Sequence, residues 1–276
     1  MIEIGKLNTL TVLRETSVGM FLGDETGNDI LLPNKYVPRS LQPDDSITVF
    51  VYTDSEDRPI ATTLTPKAMR HEFAYLEVVA STAVGAFLDL GLEKDLLVPY
   101  KEQGRLMEVG YSYVVFLYLD DETNRLVASS KLNKFLDPDV SDLREGDEVD
   151  LLAYDITDLG VNVILNNRYR GLVYASDIFK RIYIGDRMTG YIKLIRDDDR
   201  IDVTLQKPGY EGIEPNARRI LEVLKAKGGF LPLSDASQPE AIYKALEMSK
   251  KTFKKAVGAL YRERQIRIED DGIHLV

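Results

Sequence analysis

The sequence predicts a mainly β chain: three small closed barrels in a row, then an α+β tail of helices and a hairpin. Three observations carry that expectation. A glycine-anchored pattern of apolar and turn residues recurs three times in residues 1–208. Within each copy, short alternating apolar runs are broken by Gly, Pro, Asp and Asn, the pattern of strands rather than helices. Beyond residue 214 the apolar period becomes helical.

The copies read VGMFLGDETGNDILLP from Val18, VGAFLDLGLEKDLLVP from Val84 and LGVNVILNNRYRGLVY from Leu159. With Gly19, Gly85 and Gly160 as anchors, Leu10, Leu76 and Leu151 each lie nine residues before. Leu31, Leu97 and Leu172 lie 12 after, and Asp44, Gly110 and Gly185 lie 25 after, at a turn. The anchor glycine permits a sharp bend or bulge after the first strand. Apolar runs follow (ITVFVY, YSYVVFLYL, MTGYIKLI), then acidic turns (DSEDR, DDETNR, RDDDR), then closing strands (PIATTL, LVASSK, IDVTLQ). About five short strands per copy suit a closed barrel, which leaves no sheet edge exposed. The expected barrels span 1–65, 70–135 and 145–208. The expected joints, near 65–74, 133–145 and 207–215, contain Pro66, Pro138, Pro208 and Pro215. Short Pro-containing joints favour a defined pose over free tumbling.

The tail, 214–276, predicts three helices and a hairpin. NARRILEVLKAK ends at Gly228-Gly229, a helix stop. PEAIYKALEM starts at Pro239, and Ser249 is placed to cap KKTFKKAVGALYRER. IRIEDDGIHLV turns at Asp-Asp-Gly. Together these describe a winged helix.

The third copy resembles an S1 domain, the RNA-binding branch of OB-fold barrels. The residues that carry the likeness are Gly160, then Gly171-Leu172-Val173-Tyr174 with Ser176, then Gly185-Asp186 and Thr204-Leu205. The first two copies share the glycine-led strand as GMF and GAF but have DILLP and DLLVP as third strands. Three such barrels and a basic helical tail are similar to the conserved virulence factor B family of bacterial proteins. That resemblance implies an RNA-binding regulator of the expression of other genes.

Composition narrows the function. The chain has 276 residues, no Cys and two His, His71 and His274, far apart in sequence. Thiol chemistry, disulfides and cysteine zinc sites are excluded, and no Ser–His or Cys–His constellation suggests catalysis. The acidic runs 120–122 and 197–199 fall at expected hairpin turns, so neither a metal nor another cofactor is expected. No apolar run approaches the roughly 18 residues of a membrane span, and the first residues do not read as a secretory signal. The expectation is a cytoplasmic protein without a membrane partner. The net charge of −10 is uneven. Residues 1–140 hold 13 basic and 22 acidic residues, a net of −9. Residues 141–213 hold 10 and 14, a net of −4, and residues 214–276 hold 12 and 9, a net of +3.

The expected function is non-catalytic binding of single-stranded RNA by the third barrel and the winged helix. OB-type barrels bind single strands on strands two and three, stacking bases on rings and pairing phosphates with cations. Asn162, Arg168, Tyr169, Arg170 and Tyr174 are the candidates there, with Lys193 extending the track. By alternation Val161 and Val163 point inward, so Asn162, Ile164 and Tyr174 point out. On the third tail helix, Lys250, Lys251, Lys254 and Lys255 would meet phosphates. Phe21 and Phe87 would be secondary stacking rings or interdomain contacts. The acidic front barrels would orient the surface, recruit protein or repel other polyanions. Two other readings are an adaptor docking on ribosome, polymerase or another protein, and a winged-helix regulator of duplex DNA. The acidic wing, Glu269, Asp270 and Asp271, disfavours the latter.

Overall fold

A computed structural model describes residues 1–54, 56–178, 181–206 and 215–276. The expected joint at 207–215, with Pro208, lies outside the described residues except for Pro215, which opens a helix. The chain divides into two compact units, Met1–Ala175 with Ile182–Val203, and Ser176–Arg181 with Thr204–Val276.

The first unit holds three closed five-stranded barrels, as the sequence predicts. Barrel one comprises β1 (Leu7–Thr16), β2 (Gly19–Gly23), β3 (Asp29–Pro33), β4 (Ser46–Thr53) and β5 (Pro59–Thr62). Barrel two comprises β6 (Phe73–Thr82), β7 (Gly85–Leu88), β8 (Leu96–Pro99), β9 (Ser112–Leu119) and β10 (Leu126–Ser129). Barrel three comprises β11 (Glu148–Thr157), β12 (Gly160–Leu165), β13 (Tyr169–Tyr174), β14 (Arg187–Ile195) and β15 (Ile201–Thr204). Each runs first-second-third-fifth-fourth and closes back on its first strand, with third and fifth strands parallel. Inward positions are filled by small and branched apolar groups: Val12, Leu22 and Val51, then Val78, Leu88 and Val115, then Leu151, Val163 and Val203, all buried.

The anchor glycines have a steric reason. Gly19, Gly85 and Gly160 have φ of 151°, 153° and 152°. A Cβ there would lie 2.1, 2.3 and 2.1 Å from the carbonyl oxygens of Leu32, Val98 and Val173. Behind each, the first strand bulges, and one residue is left over: Leu13, Val79 or Tyr154. The bulge is locked to the turn before the fourth strand. The amides of Asp44, Gly110 and Gly185 donate to the carbonyls of Val12, Val78 and Ala153, each at 2.8 Å. The amides of those three partners donate back to Asp45, Tyr111 and Asp186 at 2.8, 2.9 and 2.9 Å. The third repeated position of the sequence pattern is thus the turn that closes the barrel, and all three of its residues have positive φ.

The barrels meet in two chemically different ways. Barrels one and two are joined by Arg70 to Glu3 (2.6 Å), Lys94 to the Asp54 carbonyl (2.6 Å), and the pairs Arg125–Asp57 and Lys35–Glu93. The exposed ion pairs among these, Arg125–Asp57 and Lys35–Glu93, contribute roughly 0–1 kcal/mol each and weaken with salt. Barrels two and three share an apolar core: Phe73, Val114, Phe116 and Leu132 against Leu152 and Ile164. The Phe116 ring lies 4.7 Å from Phe73 and 4.2 Å from Phe135. Ile164 does point away from its own barrel, but barrel two covers it and leaves it 1 % exposed. Asn167 caps the joint, its side chain accepting from the Phe73 amide (2.6 Å) and donating to the His71 carbonyl (2.8 Å).

The second unit contains α1 (Pro215–Ala226), β16 (Phe230–Leu231), α2 (Pro239–Leu246), α3 (Lys250–Arg262), β17 (Ile266–Glu269) and β18 (Gly272–Leu275). Ser249 caps α3 by accepting from the Thr252 amide at 3.2 Å. Ile220, Leu224, Ile242, Phe253, Leu260 and Ile273 form one buried core. The two-residue β16, which pairs with β18, is the one described strand that the sequence reading omits.

Two outcomes follow for stability. Gly160→Ala costs about 3 kcal/mol or more, because backbone rather than a flexible side chain blocks the Cβ. Ile164→Ala costs about 2–5 kcal/mol, as a core position does, whereas an exposed barrel face would lose roughly 0.5 kcal/mol. Urea unfolding of the full chain measures both.

Candidate nucleic-acid interface

Strands β12 and β13 form the wall expected to bind. They pair with Gly160 opposite Tyr174, Asn162 opposite Leu172 and Ile164 opposite Arg170. The parallel neighbour β15 places Asp202 beside Leu172. A cleft of about 380 Å³ opens over this wall. Asn162, Arg170 and Tyr174 line it together, as the alternation predicts, and so do Arg196, Arg200 and Asp199. Tyr174 is half-buried, its hydroxyl accepting from the Arg196 guanidinium. Arg196 also grips the Asp202 carboxylate at 2.9–3.1 Å, which holds its pKa above the ordinary value. Asn162 donates to Asp155 at 3.1 Å. Arg200 reaches Asp198 at 3.3 Å. Arg170 is exposed and makes no ion pair among the described residues. Arg196 and Arg200 flank the acidic hairpin that the sequence reading treated only as a turn. Their charge was visible there, but not their direction.

Three expected contacts stand elsewhere. Tyr169 is buried, and its hydroxyl donates into the Asp142 carboxylate, 2.5 and 2.7 Å from the two oxygens. Burial first, then this hydrogen bond, pushes its phenol up to about 12. Five residues from Tyr174, it faces the opposite side of an alternating strand. Arg168 precedes β13 and is bound at 2.8 Å by Asp137 and at 2.9 Å by Asp142. It staples the segment before barrel three and does not line the cleft. Lys193 is exposed on β14, also outside the cleft lining. Phe21 is half-buried beneath Arg14, which lies 4.2 Å from its ring centre. Phe87 is half-buried on β7.

In the second unit the four lysines divide. Lys250 is partly buried and donates to the Ser237 carbonyl at 2.8 Å, and Lys254 pairs with Asp235 at 3.2 Å. Lys251 and Lys255, one turn apart on α3, are exposed and have no ion pair among the described residues. On the wing, His274 lies 2.9 Å from Asp271 and 3.9 Å from Glu269. Among the described residues this is the one His/Asp/Glu group close enough to share an ion. Its members already satisfy one another, and the His274 hydrogen bond holds Asp271 below the usual carboxylate range. Among the described residues no helix is long and apolar enough to cross a membrane.

Because the folded-state pKa of Tyr169 is raised, its contribution to stability is complete below 10.0 and is lost as pH rises towards about 12. Tyr169→Phe removes that part of the alkaline loss. Urea midpoints for both proteins, taken at about pH 8 and about pH 11, will converge at the higher pH.

Comparison with known proteins places these domains. The S1 domain family matches residues 4–64 and 72–131, which are barrels one and two. Those are the copies whose third strands, DILLP and DLLVP, fit the S1 pattern more loosely. The CvfB-like winged helix domain family matches residues 218–275. A Bacillus subtilis protein, YitL, described as uncharacterized, is 29% identical over 96% of this chain and 91% of its own length. Conserved virulence factor B of Staphylococcus haemolyticus is 23% identical over 99% of this chain and 94% of its own. The Staphylococcus saprophyticus protein of the same name is 24% identical over 85% and 81%. A Streptococcus pneumoniae crystal structure, of a multidomain protein with nucleic acid binding domains, covers 99% of this chain and 98% of its own. It does so with 22% identity and a TM-score of 0.42.

Proposed function

This chain is of the conserved virulence factor B type, S1 domains followed by a CvfB-like winged-helix domain, and from that premise we propose a non-catalytic regulator that binds single-stranded RNA on its third barrel. One observation carries the reading. Arg170, exposed and without an ion pair among the described residues, shares a cleft with the half-exposed Tyr174 ring and with Asn162. A ring gives a base something to stack on, worth roughly 1–3 kcal/mol, and every base has such a face. A guanidinium gives phosphate contact, and Asn162 and Asp199 offer hydrogen bonds to base edges. Splayed single-stranded bases fit a narrow cleft, whereas a duplex keeps its bases stacked inside.

The winged helix adds Lys251 and Lys255, cations that hold a backbone without reading its sequence. Its wing places Glu269, Asp270 and Asp271 where a duplex backbone would cross, which favours RNA strands over duplex DNA. The net charge of −10 then has a use: it disfavours nonspecific polyanion binding and leaves affinity to a few local sites.

Fluorescence anisotropy with single-stranded RNA and duplex DNA at two salt concentrations tests this. RNA binds tighter. Arg170→Ala with Tyr174→Ala weakens RNA binding by about 10-fold or more and lowers the salt slope by about 0.7. Lys251→Ala with Lys255→Ala weakens it less. Unchanged RNA affinity in the Arg170/Tyr174 variant, with folding intact by circular dichroism, overturns the reading.

A further inference from the structure

We propose that the cleft between barrels two and three is a second nucleotide site, onto which a single RNA strand continues from the Tyr174 wall. The inference rests on the RNA reading above and extends it to barrel two, for which the sequence offers only Phe87 as a secondary stacking ring. The cleft measures about 630 Å³, and both barrels line it.

Its charge is the first argument. Residues 1–140 are net −9, yet three of their 13 cations, Arg105, Lys131 and Lys134, line this one cavity. Lys134 is engaged by Glu102 at 2.6 Å. Arg105 and Lys131 are exposed and have no ion pair among the described residues. The one lining carboxylate, Asp155, is occupied by Asn162. An acidic front half thus presents in this cleft two exposed cations that make no ion pair among the described residues, which suits a phosphate.

Its ring is the second argument. Tyr154 is the residue left over by the β11 bulge, and bulges re-aim the side chain they carry. The equivalent residues of barrels one and two are Leu13 and Val79, which are exposed. Only in barrel three is the position aromatic, and there the partly buried ring packs against the shared core and lines the cleft. Tyr113 of the facing barrel is buried in that barrel's core, its hydroxyl accepting from the Glu108 amide, with Arg105 5.2 Å from its ring centre, so stacking in this cleft falls to Tyr154. Leu132 and Ile184, part of the shared core, form the floor and fix the two walls relative to each other.

Continuity is the third argument. Asp155 lines this cleft and Asn162 lines the Tyr174 cleft, and the two are hydrogen-bonded at 3.1 Å. Arg170 acts on the Tyr154 phenol electrostatically, against the burial that raises it. A strand leaving Tyr174 past Arg170 therefore meets Tyr154 next.

Length dependence separates this inference from the one beneath it. The probes are fluorescent oligouridylates of about 4 and about 12 nucleotides, the range of one OB-fold site, and a polyglutamate peptide. Arg105→Ala with Lys131→Ala, both exposed, is expected to leave the short probe unchanged. It weakens the long one by about 10-fold and lowers the salt slope of the long probe by about 1.4, two phosphates at 0.7 each. Tyr154→Leu weakens the long probe alone. Arg170→Ala with Tyr174→Ala weakens both lengths; if it leaves both unchanged, the RNA reading itself fails. If that variant weakens both but the Arg105/Lys131 variant binds the long probe as wild type does, the second site is overturned and the first stands. Loss of peptide binding in the Arg105/Lys131 variant with RNA unaffected also overturns it, in favour of an acidic peptide.

Discussion

The reciprocal backbone pair between the first-strand bulge and the turn before the fourth strand is the constraint on which each barrel depends. It joins Val12 to Asp44 and Asp45, Val78 to Gly110 and Tyr111, and Ala153 to Gly185 and Asp186. It holds the strand closed where one residue is surplus, and it fixes the direction in which that surplus residue leaves the barrel. The lock uses main-chain groups only, so the outgoing side chain is free to vary. Leucine and valine in the first two barrels and tyrosine in the third share one geometry and differ in chemistry.

The joints build on this unit. Barrels one and two are joined by ion pairs, some of them exposed and screened by salt, together with hydrogen bonds to the Gly5 and Asp54 carbonyls. The joint between barrels two and three is an aromatic and aliphatic core, clamped by Asn167 at its edge. The contacts between barrels two and three are therefore ones that salt screens little, whereas the ion pairs of the first joint weaken with salt. A packed seam permits a binding surface to span two modules, because its groups keep their spacing.

Much of the fold was legible because the three copies check one another. The anchor glycines, the closing turns and the strand order all recur, and each has a steric or hydrogen-bonding cause. The tail was legible from Ser249, Pro239 and the apolar period of α3. The site was legible only in part. Alternation placed Asn162, Arg170 and Tyr174 on one wall. It could not place Arg196, which reaches that wall from the far side of a hairpin, because this depends on barrel closure. Nor could it show that Tyr169 and Arg168 find Asp142 and Asp137, some 26–31 residues upstream. A charged aromatic run looks the same whether its partners are nucleotides or aspartates. Tyr154 escaped notice because a bulge interrupts the alternation used to orient its neighbours.

The partnership of Arg168 and Tyr169 with Asp137 and Asp142 also decides where the third barrel can be cut. A fragment begun at residue 145 would strip the phenol of its acceptor and leave the guanidinium facing water. The excised piece would carry a vacant socket at one end, and its weakness would be an artefact of the cut rather than a property of the barrel. Expression boundaries that isolate this module belong upstream of Asp137, so that the leading segment travels with the sheet it fastens to.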